Sequence, residues 1–312
     1  MGKINIVIST GHRSWAIGKL AKNLSTLITE FDTRIIEMPQ SRRHARSLKG
    51  WKYFPKADIS LFMQQDLLLK AMQSNWIRNT DYILVRYTHN NRPLGRYQEA
   101  LLLCKKIYVE NTQMKKEIIK LGINGDKVTF KPHPIEWQAF NKMKTATKSR
   151  DVIFVSNFYK RKRPDLILQA IKSLPDITFT IFGKNWERWS EFPKLAMFKN
   201  LEYVNFNYEK YPHVLAQHKV FCSLSDIEGG PVPLLESLTA GLAVVATNTG
   251  YSQDMSKLTD KIIVLPVSPD VTLVSESLQK ALLFETVNIN TKEFDLESYV
   301  DEITNVARSC TA

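Results

Sequence analysis

The chain has 312 residues, of which 44% are hydrophobic, and 43 Lys+Arg against 31 Asp+Glu give it a net charge of +12. That length accommodates two α/β domains or one large one, and the composition excludes a low-complexity or collagen-like chain. No apolar run reaches the ~18 residues that a membrane-spanning helix needs, and Cys104, Cys222 and Cys310 are scattered without metal-ligand spacing, as expected of reduced cytosolic thiols.

The first strand is expected over Lys3–Thr10, directly after the N-terminal Met1-Gly2, so no signal peptide is expected. Gly11 makes the turn into a helix over Trp15–Ile28, whose apolar residues Ile17, Leu20, Leu24 and Ile28 recur at helical spacing. Arg34–Glu37 reads as the second strand. The segment Ser41–Lys56 carries Arg42, Arg43, Arg46, Lys49, Lys52 and Lys56 with no acidic residue, and Trp51, Tyr53 and Phe54 lie among them. Basic and aromatic residues in alternation suit an anionic membrane surface or a single-stranded nucleic acid; a solvated loop is the bland alternative. A helix over Asp66–Met72 and a buried strand over Asp81–Thr88 follow. His89 comes just after that strand, at the end where α/β proteins bind ligands. Lys106–Glu110 reads as a strand, Asn111 as a helix cap, and Val128–Lys131 as the last strand before Pro132–Pro134. The polar, basic stretch Asn141–Arg150 is expected to be a linker. Residues 1–150 hold 27 Lys+Arg and 11 Asp+Glu, whereas residues 151–312 hold 16 and 20. The basic half is therefore expected to meet an anionic partner.

Beyond the linker, a strand over Asp151–Ser156 runs into Asn157 and then Lys160-Arg161-Lys162-Arg163, four consecutive cations ahead of a helix over Leu166–Leu174. Such a cluster in a strand-to-helix turn points at phosphates. Asp176–Gly183 is a strand ending in glycine, and Tyr203–Asn207 is another, followed by a helix over Tyr211–Gln217. The apolar run Val220–Leu224 leads into Ser225-Asp226-Ile227-Glu228-Gly229-Gly230-Pro231-Val232-Pro233-Leu234-Leu235-Glu236, and a second apolar run follows at Ala243–Ala246. Strand, glycine turn, helix, strand is the half-unit of a doubly wound domain. Gly229 and Gly230 admit a ligand close to the backbone, and the helix start behind them suits an anion. Glu228 and Glu236 stand on either side of that turn, and carboxylates accept hydrogen bonds from sugar hydroxyls. Strands and helices at Ile262–Pro266, Thr272–Phe284 and Phe294–Val306 complete the chain.

The stretch from Ser225 to Thr247 resembles the donor-site signature of retaining GT-B glycosyltransferases of family four (glycosyl transferases group 1), with Glu228 and Glu236 as its E-x7-E pair. The resemblance is strong over residues 151–250 and diffuse over 1–140. It implies α/β architecture with two Rossmann-like domains facing across a cleft: an acceptor-side domain over 1–145, on which a C-terminal helix within 294–312 packs back, and a donor-binding domain over 150–290. The implied reaction is transfer of a sugar, with retention, from a UDP- or GDP-linked donor to an acceptor such as a lipid-linked or cell-surface glycan precursor. It places Glu228 on the donor sugar, Glu236 on the ribose, and Lys162 with the amides of Gly229, Gly230 and Pro231's turn on the diphosphate. Asn157 stands where the family has a second cation, so Arg161, Arg163 or Lys160 would substitute. Gly11 and Gly183 fall at family glycine positions, and His89 at a histidine near the reacting sugar. The missing D-x-D motif implies no metal, and no cofactor is expected. Arg42, Arg43, Arg46 and Trp51 would contact an anionic partner, which suggests a cytoplasmic protein held peripherally on an inner membrane face. Two other readings stay open: a GT-B enzyme that glycosylates modified DNA bases, and a non-catalytic nucleotide-sugar-binding subunit. Oligomeric state is not indicated.

Overall fold

A computed structural model describes residues 1–12, 16–38, 55–77, 82–88 and 93–311. They divide into two compact units, Met1–Pro134 with Leu296–Ala312, and Ile135–Asp295.

The first unit runs β1 (Lys3–Ser9), α1 (Ala16–Leu27), β2 (Asp32–Met38), β3 (Ile59–Phe62), α2 (Gln65–Gln73), β4 (Tyr82–Tyr87), α3 (Gln98–Leu102), β5 (Lys106–Val109), α4 (Thr112–Lys120) and β6 (Val128–Phe130). Its strands form a parallel sheet in the order β2-β1-β3-β4-β5-β6. Strands in such sheets are buried on both faces and read as unbroken apolar runs; in β1 every residue from Ile4 to Ser9 is buried. Asn111 caps α4 by accepting a 2.7 Å hydrogen bond from the Met114 amide.

The second unit runs α5 (Trp137–Asn141), β7 (Arg150–Val155), α6 (Pro164–Ser173), β8 (Phe179–Gly183), α7 (Phe192–Leu195), β9 (Leu201–Asn205), α8 (Tyr211–Ala216), β10 (His218–Ser223), α9 (Val232–Thr239), β11 (Ala243–Thr247), α10 (Ser252–Met255), β12 (Ile262–Leu265) and α11 (Val271–Leu282). Its parallel sheet has the order β12-β11-β10-β7-β8-β9. The last helix, α12 (Leu296–Thr311), belongs to the first unit, where Tyr299, Val300, Ile303 and Ala307 join Ile4, Ile6, Leu20 and Leu24 in one core.

The boundary expected at residues 145–150 falls instead between Pro134 and Ile135. Composition misleads here. Ile135 and Phe140 are buried, and Phe140 packs edge-on against Tyr211 at 5.5 Å. The supposed linker is also anchored: the Lys148 ammonium donates to the Ala240 carbonyl at 2.9 Å, and Arg150 opens β7. Ile135 bridges Asp295, so the segments entering and leaving the second unit run side by side.

Three polar groups meet inside the first unit at the C-terminal ends of β4, β5 and β6. Arg86 donates to Glu110 Oε1, and its Nη2 lies 3.4 Å from His133 Nδ1. The His133 amide donates to Glu110 Oε2 at 3.1 Å. Burial, and then the Arg86 charge, holds the His133 imidazole well below its usual pKa, so it is neutral.

Candidate donor site in the second unit

The order of the second sheet reverses direction between β7 and β10, which pair through Val220↔Val152 and Phe221↔Ile153. Loops leaving the two strands diverge there, and the crevice beyond their C-terminal ends is where open α/β sheets take ligands. The β7 loop brings Arg161 and Lys162 to that crevice and the β10 loop brings Glu228.

Arg161 and Lys162 both reach Glu228. Arg161 Nη1 donates to Glu228 Oε1 at 2.7 Å and to the Ile227 carbonyl at 2.8 Å, and the Lys162 ammonium donates to the same Oε1. The Glu228 side chain is 7% exposed, Lys162 17% and Arg161 33%. Burial alone would push the Glu228 carboxyl up, but the cations of Lys162 and Arg161 pull it below the usual carboxylate range. Glu228 is therefore ionised, with the cations held at the mouth of the crevice. Two hydrogen bonds to backbone carbonyls fasten the loops. The Asp226 amide donates to the Arg161 carbonyl at 2.8 Å, and Thr247 Oγ1 donates to the Ser225 carbonyl at 2.6 Å.

Arg163 is placed differently. It adopts a left-handed conformation (φ 52°) ahead of α6, and its guanidinium pairs with Asp165 at 3.0 Å and Asp226 at 3.3 Å. Of the three substitutes considered for the missing cation, Arg161 is the one brought to Glu228. Asn157 instead closes the neighbouring loop, accepting from the Lys184 amide at 3.0 Å.

The helix start is poorer in donors than the sequence suggested. Pro231 and Pro233 have no N–H, and the Leu234 amide donates to the Pro231 carbonyl at 2.8 Å. Pro231 and Pro233 thus add no donor to the turn, whose candidate anion donors are other backbone amides, among them those of Gly230 and Val232. Pro231 has another task, which sequence reasoning missed. A Cβ on Gly250 (φ +59°) would stand 2.6 Å from Pro231 Cδ and 3.3 Å from Glu228 Cβ, so Gly250 lets the glycine loop lie flat against the turn after β11. The run Asn248-Thr249-Gly250, turn residues directly after a buried strand, was its signal.

Glu236, on the second turn of α9, is 5% exposed, and its Oε2 accepts from the Tyr211 hydroxyl at 2.8 Å. Gly183 ends β8 where a Cβ would stand 1.8 Å from the Ser156 carbonyl oxygen, so only glycine lets β7 and β8 close at this point. Gly11 makes its turn in the first unit with φ +86°. His89, Arg42, Arg43, Arg46 and Trp51 lie outside the described residues. Among the described residues no group of three or more His, Cys, Asp or Glu could hold a metal ion. None of the described helices is long and apolar enough to cross a membrane.

Comparison with known proteins agrees with this fold. Residues 135–291 match the family model for glycosyl transferases group 1. A human phosphatidylinositol N-acetylglucosaminyltransferase subunit is 24% identical over 220 residues, a match that covers 65% of this chain and 44% of that protein's length. Anabaena HepE in complex with UDP-glucose superposes over 99% of this chain and all of its own, with a TM-score of 0.72 and 11% identity. The Thermosynechococcus elongatus sucrose-phosphate synthase covers 99% of both chains, with a TM-score of 0.77 and 12% identity. These likenesses establish the fold as two Rossmann-like domains of the GT-B kind. With the family model covering half of the sequence, the chain belongs to the glycosyl transferases group 1 family.

Proposed function

We propose that the chain moves a sugar from a UDP- or GDP-linked donor to an acceptor, with retention at the anomeric carbon. The observation that carries this reading is the Glu228 carboxylate gripping Arg161 and Lys162 at the switch point of the second sheet. Glu228 engages each cation through one nitrogen, whereas a guanidinium has five N–H donors and an ammonium three. The others suit a diphosphate seated between the loops. As the bond from the anomeric carbon to the diphosphate oxygen breaks, charge grows on the leaving group. Lys162, Arg161 and the Gly230 and Val232 amides stabilise it in the role a divalent ion fills elsewhere. The acceptor oxygen forms the new bond on the same face and passes its proton to the leaving diphosphate.

The acceptor fits a lipid-linked glycan precursor reached from an inner membrane face. Support comes from the basic first unit, from the basic and aromatic composition of residues 42–56, and from the lipid substrate in the human relative's name.

The test is release of nucleoside diphosphate from a panel of UDP- and GDP-sugars, with and without lipid-linked acceptors, and NMR of the product. Release that survives EDTA and gives a product with the donor's anomeric configuration is expected. An inverted product, or no turnover with any donor, would overturn the reading.

A further inference from the structure

We propose that Tyr211 is a positioning residue that sets Glu236 to distinguish a ribose from a deoxyribose; this rests on the donor-site reading above, with Glu236 meeting the donor's ribose as the family resemblance implies. A carboxylate's terminal torsion is broad, so a glutamate on an exposed helix face sweeps its oxygens over many directions. Glu236 is nearly buried, and one oxygen is tied to a hydroxyl that itself cannot move. The Tyr211 ring is fixed on four sides: stacked on Phe182 at 5.4 Å, edge-on to Phe140 at 5.5 Å, and tilted against Phe206 at 5.6 Å and Tyr208 at 6.4 Å. It is the first residue of α8, so the helix fixes its backbone as well.

Three consequences follow from this arrangement. A buried carboxylate needs donors, and Tyr211 supplies one in a constant direction. The bond at Oε2 fixes the plane of the carboxylate and so the direction in which Glu236 accepts from a ligand. Burial, and then the charge of Glu236, raises the Tyr211 hydroxyl well above its usual pKa, so it remains a donor throughout the working pH range. A ligand hydroxyl that meets a pre-aimed carboxylate forms a charge-assisted bond worth about tenfold or more in affinity. A ligand without that hydroxyl gains nothing from the aim. Tyr211 is thus expected to act on the ratio between the two ligands rather than on binding in general.

Calorimetric titration of the full chain with UDP, GDP and ADP first identifies the base that binds tightest. Its 2′-deoxy and 3′-deoxy forms are then titrated into wild type, Tyr211→Phe, Glu236→Gln, the double variant and Tyr208→Phe. Tyr211→Phe keeps the ring and its four neighbours, so it is expected to fold. Wild type is expected to favour the ribose form over one deoxy form by about tenfold or more. Tyr211→Phe should reduce that preference to about threefold or less while leaving deoxy affinity intact, and should add no further loss to Glu236→Gln. Tyr208→Phe, which leaves the Tyr211–Glu236 bond in place, should keep the wild-type ratio. A wild-type ratio in Tyr211→Phe, an equal loss for ribose and deoxyribose forms, or the same collapse in Tyr208→Phe would overturn the inference alone. A wild type that binds none of the three nucleotides sinks the donor-site reading, and the inference with it.

Discussion

The two units share a plan, a six-stranded parallel sheet with helices packed on it, and differ in what they do with charge at the strand ends. In the first unit Arg86 and Glu110 are 2% and 4% exposed and turn toward each other and His133. In the second, Glu228 is as well buried, but its cations are not: Arg161 is one-third exposed. Both are ion pairs at the carboxyl ends of a doubly wound sheet, and position alone would mark both as sites. Exposure separates them. A pair closed on itself holds strands together, whereas a buried anion holding half-open cations keeps positive charge ready for a ligand. Net charge does not follow the site either. The first unit has 24 Lys+Arg against 13 Asp+Glu, and the second 19 against 18. The donor site is built from local placement in a nearly neutral unit, and the excess positive charge belongs to the other.

If the Arg86–Glu110 pair is structural, breaking it should bring the largest change in stability. Arg86→Met leaves a buried carboxylate without its cation, and a loss of about 3–5 kcal/mol is expected in urea unfolding. The double variant Arg86→Met, Glu110→Leu should recover most of that loss, because replacing both partners removes the orphaned charge. Donor binding by the second unit should be unchanged in the folded double variant. Loss of nucleotide affinity there would mean that the closed pair also serves the site.

The matching change in the second unit should act on turnover instead. Lys162→Met removes a preorganised cation from the leaving group, for which a loss of about 10²–10³ in kcat is expected. Glu228→Gln loosens both cations at once and should cost at least as much. Either variant with wild-type kcat in the donor assay would leave the gripped cations without a catalytic part.

Gly250→Ala sharpens the same contrast at the backbone. A left-handed alanine costs about 1–2 kcal/mol, and its Cβ would also press on Pro231 at 2.6 Å. The glycine loop must shift, so nucleotide affinity should fall about tenfold while the first unit melts as before. Unchanged affinity would show that the loop tolerates displacement.

Much of the second unit was legible in the sequence because its signals are local. Glycine, proline and two glutamates at fixed spacing mark the loop after β10, and four adjacent cations mark the loop after β7. What the sequence left open, or misplaced as with the linker, depends on distant partners. Which cation meets Glu228 is decided by the left-handed backbone at Arg163, which turns that side chain toward Asp165 and Asp226. Asn157 is claimed by the amide of Lys184, 27 residues away. Residues 141–150 look like a linker because they are polar, yet the boundary is set by the burial of Ile135 and Phe140 against residues far along the chain. The loss of helix-start donors was readable from Pro231 and Pro233 alone, since neither has an N–H to give.

Each unit also holds a neutral histidine, half-buried His133 in the first and buried His218 in the second, and the two differ in surroundings. His133 sits beside Arg86, whereas His218 opens β10 with Nε2 2.8 Å from Thr180 Oγ1 and Nδ1 2.8 Å from the Val214 carbonyl. Burial is the main force on His218 and lowers its pKa to about 4; the Val214 carbonyl opposes this, and the positive charge of Arg150 assists it. Unfolded, the same imidazole titrates near 6.5. Between these values the unfolded chain binds the proton and the folded chain does not, so acid favours unfolding. His218 should therefore withdraw stability as pH falls from about 6.5 toward 4, amounting to about 2 kcal/mol between pH 7 and pH 5. His133, also lowered, adds loss in the same direction. NMR titration of the His218 ring protons should show it neutral at pH 5, and His218→Gln should flatten the acid limb of the stability curve. A His218 that titrates near 6.5 in the folded chain would show that solvent reaches the base of β10, and the acid sensitivity would then belong to the first unit alone.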